Sequence, residues 1–153
     1  LNDVDFVMIG PDAKQTDYSR RAIERAETLE NVSYEGYVDP ADTDEYFQHA
    51  KAFIQTTDSD HGYGNTTLEA WRYATPVVSL YSTFDGNITE ERIGLYADGS
   101  TERLRECIEA LADADELMNE LGWNGRKFLE EHFRIETIAD RYEEVFNAVS
   151  RDN

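Results

Sequence analysis

The stretch that decides the fold is KAFIQTTDSDHGYGNTTLEAWRYATPVVSLY, residues 51–81. Residues 51–57 form a short run rich in strand-favouring side chains, residues 65–74 have helical spacing, and residues 75–81 again favour a strand. A strand, a helix and a strand in this order form the crossover unit of a parallel sheet. The stretch therefore predicts an α/β fold in which residues 58–64 are the loop between strand and helix.

The same alternation continues on both sides of this stretch. The upstream sequence predicts strands at 4–10 and 31–38 and helices at 17–29 and 40–50. Residues 82–99 give a weak signal for either a short edge strand or a loop, and the chain is almost wholly helical from Thr101 onward. We predict one domain, residues 1–153, with a doubly wound, mostly parallel, Rossmann-like sheet and C-terminal helices.

The charge of the chain is strongly negative. It has 33 acidic and 14 basic residues, a net charge of -19, and also nine tyrosines and seven phenylalanines spread along its length. Such a charge argues against binding to nucleic acid or to an anionic membrane by bulk attraction, and the aromatic content argues against a disordered acidic tail. An acidic surface of this size favours a salt-rich, halophilic cytoplasm, where salt screens the repulsion.

Two further observations support a cytoplasmic location. Cys107 is the single cysteine, so an internal disulfide is impossible and an oxidising compartment has no support. The sequence contains no apolar run approaching the roughly 20 residues of a membrane span, and its first residues do not have the pattern of a signal peptide.

The loop at 58–64 begins with acidic residues that could hold a metal. Asp58 and Asp60 have the spacing of an Asp-x-Asp pair, which in some glycosyltransferases holds a divalent cation, and His61 could add a nitrogen ligand. However, 33 of 153 residues are acidic, so such a pair arises easily by chance. The alternative is a solvated acidic loop, and we predict no metal site.

The glycine turn that follows is a candidate anion-binding loop. Gly62, Tyr63 and Gly64 lie between the end of a parallel strand and a helix that begins near Asn65 or Thr66. Free N–H groups at a helix N-terminus bind phosphate well, and glycine lets a ligand approach the backbone. Backbone dipoles would also bind an anion where the surface field repels it. The alternative is a tight corner that binds no ligand.

Glu69 allows two interpretations. Thr66 and Glu69 have the spacing of a capping box, in which the threonine caps the helix and the glutamate bonds back to the N–H of the cap, contributing about 1 kcal/mol. Alternatively, Glu69 accepts hydrogen bonds from the vicinal hydroxyls of a sugar next to the anion site. The residues alone leave both interpretations open.

The ordered set of these segments resembles the C-terminal domain of family 4 (group 1) glycosyltransferases with the GT-B fold. The segment HGYGNTTLEAWRYATPVVSLY is similar to the family's Glu-Gly-Phe-Gly turn, its Glu-Ala helix and its Gly-x-Pro-Val-Val strand. Four other segments agree in order along the chain: DFVMIG, NVSYEGYV, EYFQHAKAFIQTT and GWNGRKFLEEHFRIETIADRYEEVF. The resemblance covers essentially the whole chain.

The resemblance implies binding of a nucleotide-sugar donor and retaining transfer of its sugar to an acceptor, without an essential metal or other cofactor. It places Glu69 on the family's ribose-binding glutamate. It places the loop whose amides meet the sugar and the diphosphate at 62–66. Softer placements are Gly10 at the end of the first strand, Tyr37 and Val38 beside the base, and Thr56 or Thr57 lining the cleft.

Two departures from the family pattern bear on activity. His61 stands where the family has the glutamate beside the transferred sugar, so we expect it to hydrogen-bond sugar hydroxyls in a catalytic role, although loss of activity is an open alternative. The glycine expected before Pro76 is replaced by Ala74 and Thr75. The first strand, its basic diphosphate-binding loop and the N-terminal acceptor domain of the family are expected upstream, so this chain alone should be inactive.

The expectation from sequence is therefore the donor-binding half of a GT-B glycosyltransferase. Its acceptor is a glycan, a lipid or a small molecule, and any peripheral membrane association would arise only through the N-terminal domain. Two alternatives stay open: a degenerate GT-B domain without catalysis, and a doubly wound receiver-like module that binds a protein partner. The chain lacks the clear lysine after a late strand that a receiver site would need.

Overall fold

The computed structural model of the chain describes residues 1, 3–11, 16–57 and 63–151. The chain divides into two compact units, Leu1–Tyr46 and Phe47–Asn153. Every strand pair in the described residues is parallel, and helices alternate with the strands. The predicted α/β class with a parallel sheet is therefore confirmed.

The first unit contains a parallel pair of strands and a helix. Strand β1 (Phe6–Ile9) pairs with β2 (Val32–Gly36), and helix α1 (Asp17–Ala26) lies between them in sequence. Helix α1 begins where it does because the Thr16 hydroxyl accepts a 3.1 Å hydrogen bond from the Ser19 N–H. The predicted end of this helix at residue 29 was three residues too late. Helix α2 (Thr43–His49) spans the boundary between the two units.

The second unit contains a three-stranded parallel sheet in the order β3-β4-β5. Its elements are β3 (Phe53–Gln55), α3 (Asn65–Arg72), β4 (Val77–Ser79), α4 (Asn87–Glu90), β5 (Gly94–Tyr96), α5 (Thr101–Ala112), α6 (Asp115–His132) and α7 (Ile135–Arg151). The weak segment at 82–99 thus contains a short helix and an edge strand. The predicted helical C-terminal region is confirmed.

Both faces of this second sheet are covered. Val77 and Val78 are adjacent in β4 and fully buried, and they point to opposite faces because side chains alternate along a strand. Val77 belongs to a cluster with Trp71, Phe84, Ile88, Ile93 and Phe128, whereas Val78 packs with Leu111 and Leu121. Apolar packing on both faces explains why β4 is a continuous hydrophobic run.

The turn between α3 and β4 contains Ala74 and Thr75, which replace the glycine that the family pattern has before Pro76. The N–H of Thr75 donates to the carbonyl of Ala70 at 3.0 Å, and the N–H of Ala74 donates to that of Trp71 at 2.9 Å. These two bonds form a Schellman motif, whose residue after the helix cap adopts a left-handed conformation. Ala74 occupies that position with φ 55. A glycine would adopt this φ without the cost of about 1 kcal/mol that alanine incurs.

The last helix is apolar along one exposed face. The large side chains of α7 that stay exposed are Ile135, Tyr142, Val145, Phe146 and Val149. They have the periodicity of one helical stripe, as the sequence predicted. Within the described part of the chain, no helix is both long and apolar enough to cross a membrane.

Candidate functional site

Helix α3 begins at Asn65, within the range that the sequence predicted, but the capping-box interpretation, with Thr66 as the cap, is wrong. Its cap is Gly64, which has φ -65 and ψ 151 and no side chain to cap the helix. The carbonyl of Gly64 accepts hydrogen bonds from the N–H groups of Thr67 at 3.0 Å and Leu68 at 3.3 Å. Helical hydrogen bonding therefore starts at Gly64, which places Thr66 and Glu69 inside the helix, where they cannot form the reciprocal box.

The first backbone N–H groups of α3 are the candidate hydrogen-bond donors for an anion. Among the described residues no acceptor is recorded for the N–H groups of Asn65 and Thr66, and both side chains are exposed. A Cβ built on Gly64 would have only the Thr66 hydroxyl oxygen near it, at 3.9 Å, so nothing in the described residues requires glycine here. An anion at these N–H groups stays a prediction from the sequence, because residues 58–62 of the preceding loop lie outside the described part of the chain.

This helix end lies at the carboxyl edge of the second sheet. Parallel strands β3, β4 and β5 all run towards that edge, and α3 follows the loop after β3. Thr57, which the sequence placed in the cleft, lies two residues beyond β3 and is exposed. Ligands of open α/β sheets bind outside the carboxyl ends of the strands.

Glu69 lies one turn inside α3 and is half-buried. The hydrogen bonds and ion pairs recorded within the described residues give its carboxylate no partner. The structure excludes the capping interpretation, because the cap of α3 is Gly64. The ligand-binding interpretation of Glu69 stays a prediction.

The side chain of Tyr63 packs into the protein. Its ring is stacked on Phe84 with centroids 5.4 Å apart and meets Phe133 edge-on at 4.9 Å. The rings of Trp71 and Phe128 are each 5.9 Å away. Any contact of Tyr63 with a ligand at the loop would therefore be made by its backbone, as expected for an amide-lined anion site.

The hydroxyl of Tyr63 is held by the loop between β4 and α4. It donates to the carbonyl of Phe84 at 3.0 Å and accepts from the side-chain amide of Asn87. Burial raises the pKa of the Tyr63 phenol, and the charge of Asp85 raises it further, while the hydrogen bond from Asn87 lowers it. The phenol therefore stays neutral and remains a hydrogen-bond donor.

The end of β4 and the loop after it form hydrogen bonds and a turn that the sequence analysis did not predict. The Ser79 hydroxyl donates to the Gln55 side-chain oxygen at 3.1 Å and accepts from the N–H of Ser82 at 3.0 Å. Phe84 and Asp85 have φ values of 51 and 58, and Gly86 follows with φ 90. The segment STFDGN, residues 82–87, contains the turn-forming residues that could have indicated this loop.

The first unit contains the remaining predicted residues. Gly10 directly follows β1, where its N–H donates to the carbonyl of Gly36 at 2.8 Å and its own carbonyl accepts from the Tyr34 hydroxyl at 3.2 Å. Tyr37 is 67% exposed, and Val38 is half-buried. Gly10 and residues 36–38 therefore meet at the carboxyl ends of the two parallel strands of this unit.

Several predicted residues lie outside the described part of the chain. These are Asp58 and Asp60 of the possible metal site, His61 and Gly62. Within the described residues, no group of His, Cys, Asp and Glu side chains is arranged to hold a metal ion. The roles assigned to these four residues stay predictions.

The parallel strands and the helices that alternate with them place the chain in the class of Rossmann-like α/β domains. The profile described as glycosyl transferases group 1 matches residues 1–114. The chain belongs to this family, and its resemblance to the C-terminal domain of the group 1 enzymes is confirmed.

Two relatives illustrate the family. The chain is 26% identical over 110 residues to the capsular polysaccharide biosynthesis glycosyltransferase CapM of Staphylococcus aureus, covering 71% of this chain and 29% of that protein. It is 24% identical over 147 residues to O-antigen chain mannosyltransferase C of Escherichia coli, covering 94% and 39%. The chain thus spans well under half the length of either relative.

Solved structures share the fold. HepE of Anabaena in complex with UDP and glucose matches with a TM-score of 0.76 and 16% identity, over 95% of this chain and 41% of that one. The sucrose-phosphate synthase of Thermosynechococcus elongatus matches with 0.73 and 19%, over 100% and 47%. The C-terminal domain of the group 1 glycosyl transferase LpcC of Francisella tularensis matches with 0.62 and 16%, over 81% and 65%.

Proposed function

We propose that this chain is the donor-binding part of a retaining glycosyltransferase, which transfers a sugar from a nucleotide-sugar to an acceptor. The observation that carries the proposal is the N-terminus of α3 at the carboxyl edge of a parallel sheet, with Gly64 as its cap and with the N–H groups of Asn65 and Thr66 without an acceptor among the described residues. Family membership and the UDP and glucose bound to HepE support a nucleoside diphosphate and a sugar as the ligands.

The chemistry follows from charge development on the leaving group. When the bond between sugar and diphosphate breaks, negative charge accumulates on the diphosphate. Fixed N–H dipoles stabilise this charge best because they are already oriented when it appears. The backbone amides of residues 62–66 would supply part of this stabilisation. Their dipoles act only at the helix end, whereas the net charge of -19 repels anions from the rest of the protein.

The side chains around the loop would orient the donor. The Glu69 carboxylate would accept hydrogen bonds from the two ribose hydroxyls, and His61 would hydrogen-bond hydroxyls of the transferred sugar. Gly10, Tyr37, Val38 and Thr57 keep the softer roles implied by the family resemblance. The proposal includes transfer without an essential metal, so a chelator should leave activity unchanged; loss of activity with chelator would favour the pair Asp58 and Asp60 instead.

The proposal is tested by titrating the full-length protein that carries this chain with UDP and with GDP in a calorimeter. Glu69→Ala should weaken the binding about tenfold to a hundredfold, because it removes hydrogen bonds to a charged acceptor. Its free energy of unfolding should change by less than about 0.5 kcal/mol, since Glu69 does not cap the helix. The matched control is Glu106→Ala, which removes the same charge from an exposed position of α5.

The two variants distinguish the loss of a direct contact with the nucleotide from the change in net charge. Removing one carboxylate from an acidic protein slightly favours anion binding in both variants, so only a direct contact makes Glu69→Ala weaker than Glu106→Ala. Equal affinities in the two variants would remove Glu69 from the site. No binding of either diphosphate to the wild-type protein would reject the proposal. Binding without transfer in the intact protein would identify a degenerate, non-catalytic domain.

A further inference from the structure

The side chains of Tyr63 and Asn87 join two loops at the same edge of the sheet. The Asn87 amide donates one proton to the Tyr63 hydroxyl and the other to the carbonyl of Phe84, at 2.8 Å. The Tyr63 hydroxyl donates its own proton to that carbonyl at 3.0 Å. The three groups form a closed ring of hydrogen bonds, in which every proton is used.

The acceptor of this ring belongs to an unusual turn. Phe84, Asp85 and Gly86 are consecutive and all have positive φ, and the first two carry side chains that disfavour this conformation. A conformation of this kind persists only where its surroundings hold it. The ring formed by Tyr63 and Asn87 supplies that restraint at the Phe84 carbonyl, and the buried Phe84 side chain supplies a second one.

We propose that Tyr63 and Asn87 are a pair of positioning residues that hold the donor-binding loop against the turn at 84–86. Tyr63 immediately precedes Gly64, the cap of α3, so the position of its ring determines where the N–H groups of Asn65 and Thr66 point. The inference rests on the proposed function and adds to it the residues that pre-organise the amides for the diphosphate. Neither side chain is assigned a contact with the donor.

The hydroxyl matters in addition to the ring because the packing around Tyr63 is not tight on every side. A cavity of about 240 Å³ borders the ring and is also lined by Asn87, Glu91, His132 and Arg141. Apolar contacts with its neighbours hold the ring in the cluster, but they are not directional. The directional hydrogen bonds select one position, and the raised pKa of Tyr63 keeps its proton available for them.

The experiment uses the full-length protein and two readouts. Tyr63→Phe keeps the ring and removes only the hydroxyl, and Asn87→Ala removes the other member of the pair. Each variant removes two of the three hydrogen bonds of the ring and should weaken UDP or GDP binding in calorimetry about threefold to tenfold, because the loop is then less well positioned. The double variant should bind no more weakly than the weaker single variant, because the pair acts as one unit.

The second readout does not depend on any ligand. Hydrogen exchange at the amides of Thr67 and Leu68, which donate to the Gly64 carbonyl, should be faster in Tyr63→Phe than in the wild type, because the start of α3 loses its restraint. The matched control is Thr75→Val, which removes the 2.6 Å bond from the Thr75 hydroxyl to the Phe47 carbonyl at the opposite end of β4. It should lower the unfolding midpoint and leave both donor affinity and this exchange unchanged.

The results distinguish the positioning role of Tyr63 and Asn87 from the proposed donor-binding function. If wild-type protein binds UDP or GDP and Tyr63→Phe binds equally well, the positioning pair is refuted while the proposed function stands. Multiplicative losses in the double variant would also refute the pair, since independent contacts add in free energy. If the wild type binds neither nucleotide, the proposed function fails, and unchanged amide exchange in Tyr63→Phe would then reject the positioning role separately.

Discussion

Gly122 permits helix α6 to contact the turn between α3 and β4, and replacing it with alanine gives a sharp test of the packing. A Cβ at this position would lie 1.9 Å from the carbonyl oxygen of Ala74 and 2.8 Å from its carbonyl carbon. Both atoms belong to the backbone, so no side chain can rotate away. The turn itself resists movement because Ala74 is already left-handed and its N–H is bonded within the Schellman motif.

Two opposing terms decide the effect of Gly122→Ala. Alanine in a helix interior is more favourable than glycine by about 1 kcal/mol. Overpacking against a rigid neighbour costs about 3 kcal/mol at the upper end of the usual range, which applies here because the helix or the turn must shift by more than about 1 Å. We expect the free energy of unfolding to fall by about 2 kcal/mol, the difference between these terms.

Urea denaturation followed by circular dichroism measures this change. The control is Asn119→Ala, an exposed position on the same helix, where the better helix former should add about 0.5 kcal/mol. If Gly122→Ala also stabilised the protein, helix propensity alone would govern the position. The close approach of α6 to the Ala74 carbonyl would then not be a feature of the folded protein.

Two further predictions concern the buried interior and the surface charge. Thr67 is fully buried on α3, and its hydroxyl has no hydrogen-bond partner among the described residues. The nearly isosteric Thr67→Val should therefore raise the free energy of unfolding in urea by about 1 kcal/mol, whereas a decrease would indicate that the hydroxyl has a partner. The net charge of -19 predicts that the midpoint of thermal unfolding rises as KCl is increased from about 0.1 M to above 1 M, because the screening length of the charge repulsion falls from about 10 Å to 3 Å. An unchanged midpoint would contradict the halophilic interpretation.

The order of strands and helices could be predicted because it depends on local periodicity. In residues 51–81 the apolar side chains have the spacing of a strand, a helix and a strand, and the structure has β3, α3 and β4 there. The limits of these elements were less accurate. The ends of α1 and α3, predicted at residues 29 and 74, lie at Ala26 and Arg72, because a helix end depends on which backbone groups find partners.

Part of the candidate site could also be predicted from sequence. The sequence predicted a glycine turn between a parallel strand and a helix, and the structure has Gly64 as the cap of α3 after β3. The binding of an anion at this helix end stays a prediction. The capping role of Glu69 failed because the helix begins earlier than Thr66. Asn87 was missed because its partner Tyr63 is 24 residues away in sequence, and no local pattern connects them.

The sequence by itself determined the α/β class, the helical C-terminal region, the acidic surface and the family, because each depends on composition or on short-range spacing of residues. Only the tertiary structure decided that Tyr63 points into an aromatic cluster and bonds to the turn at 84–86, and that Gly122 lies against the Ala74 carbonyl. These contacts join residues far apart in the chain. They depend on how the helices pack on β4, and neither periodicity nor local propensity encodes that packing.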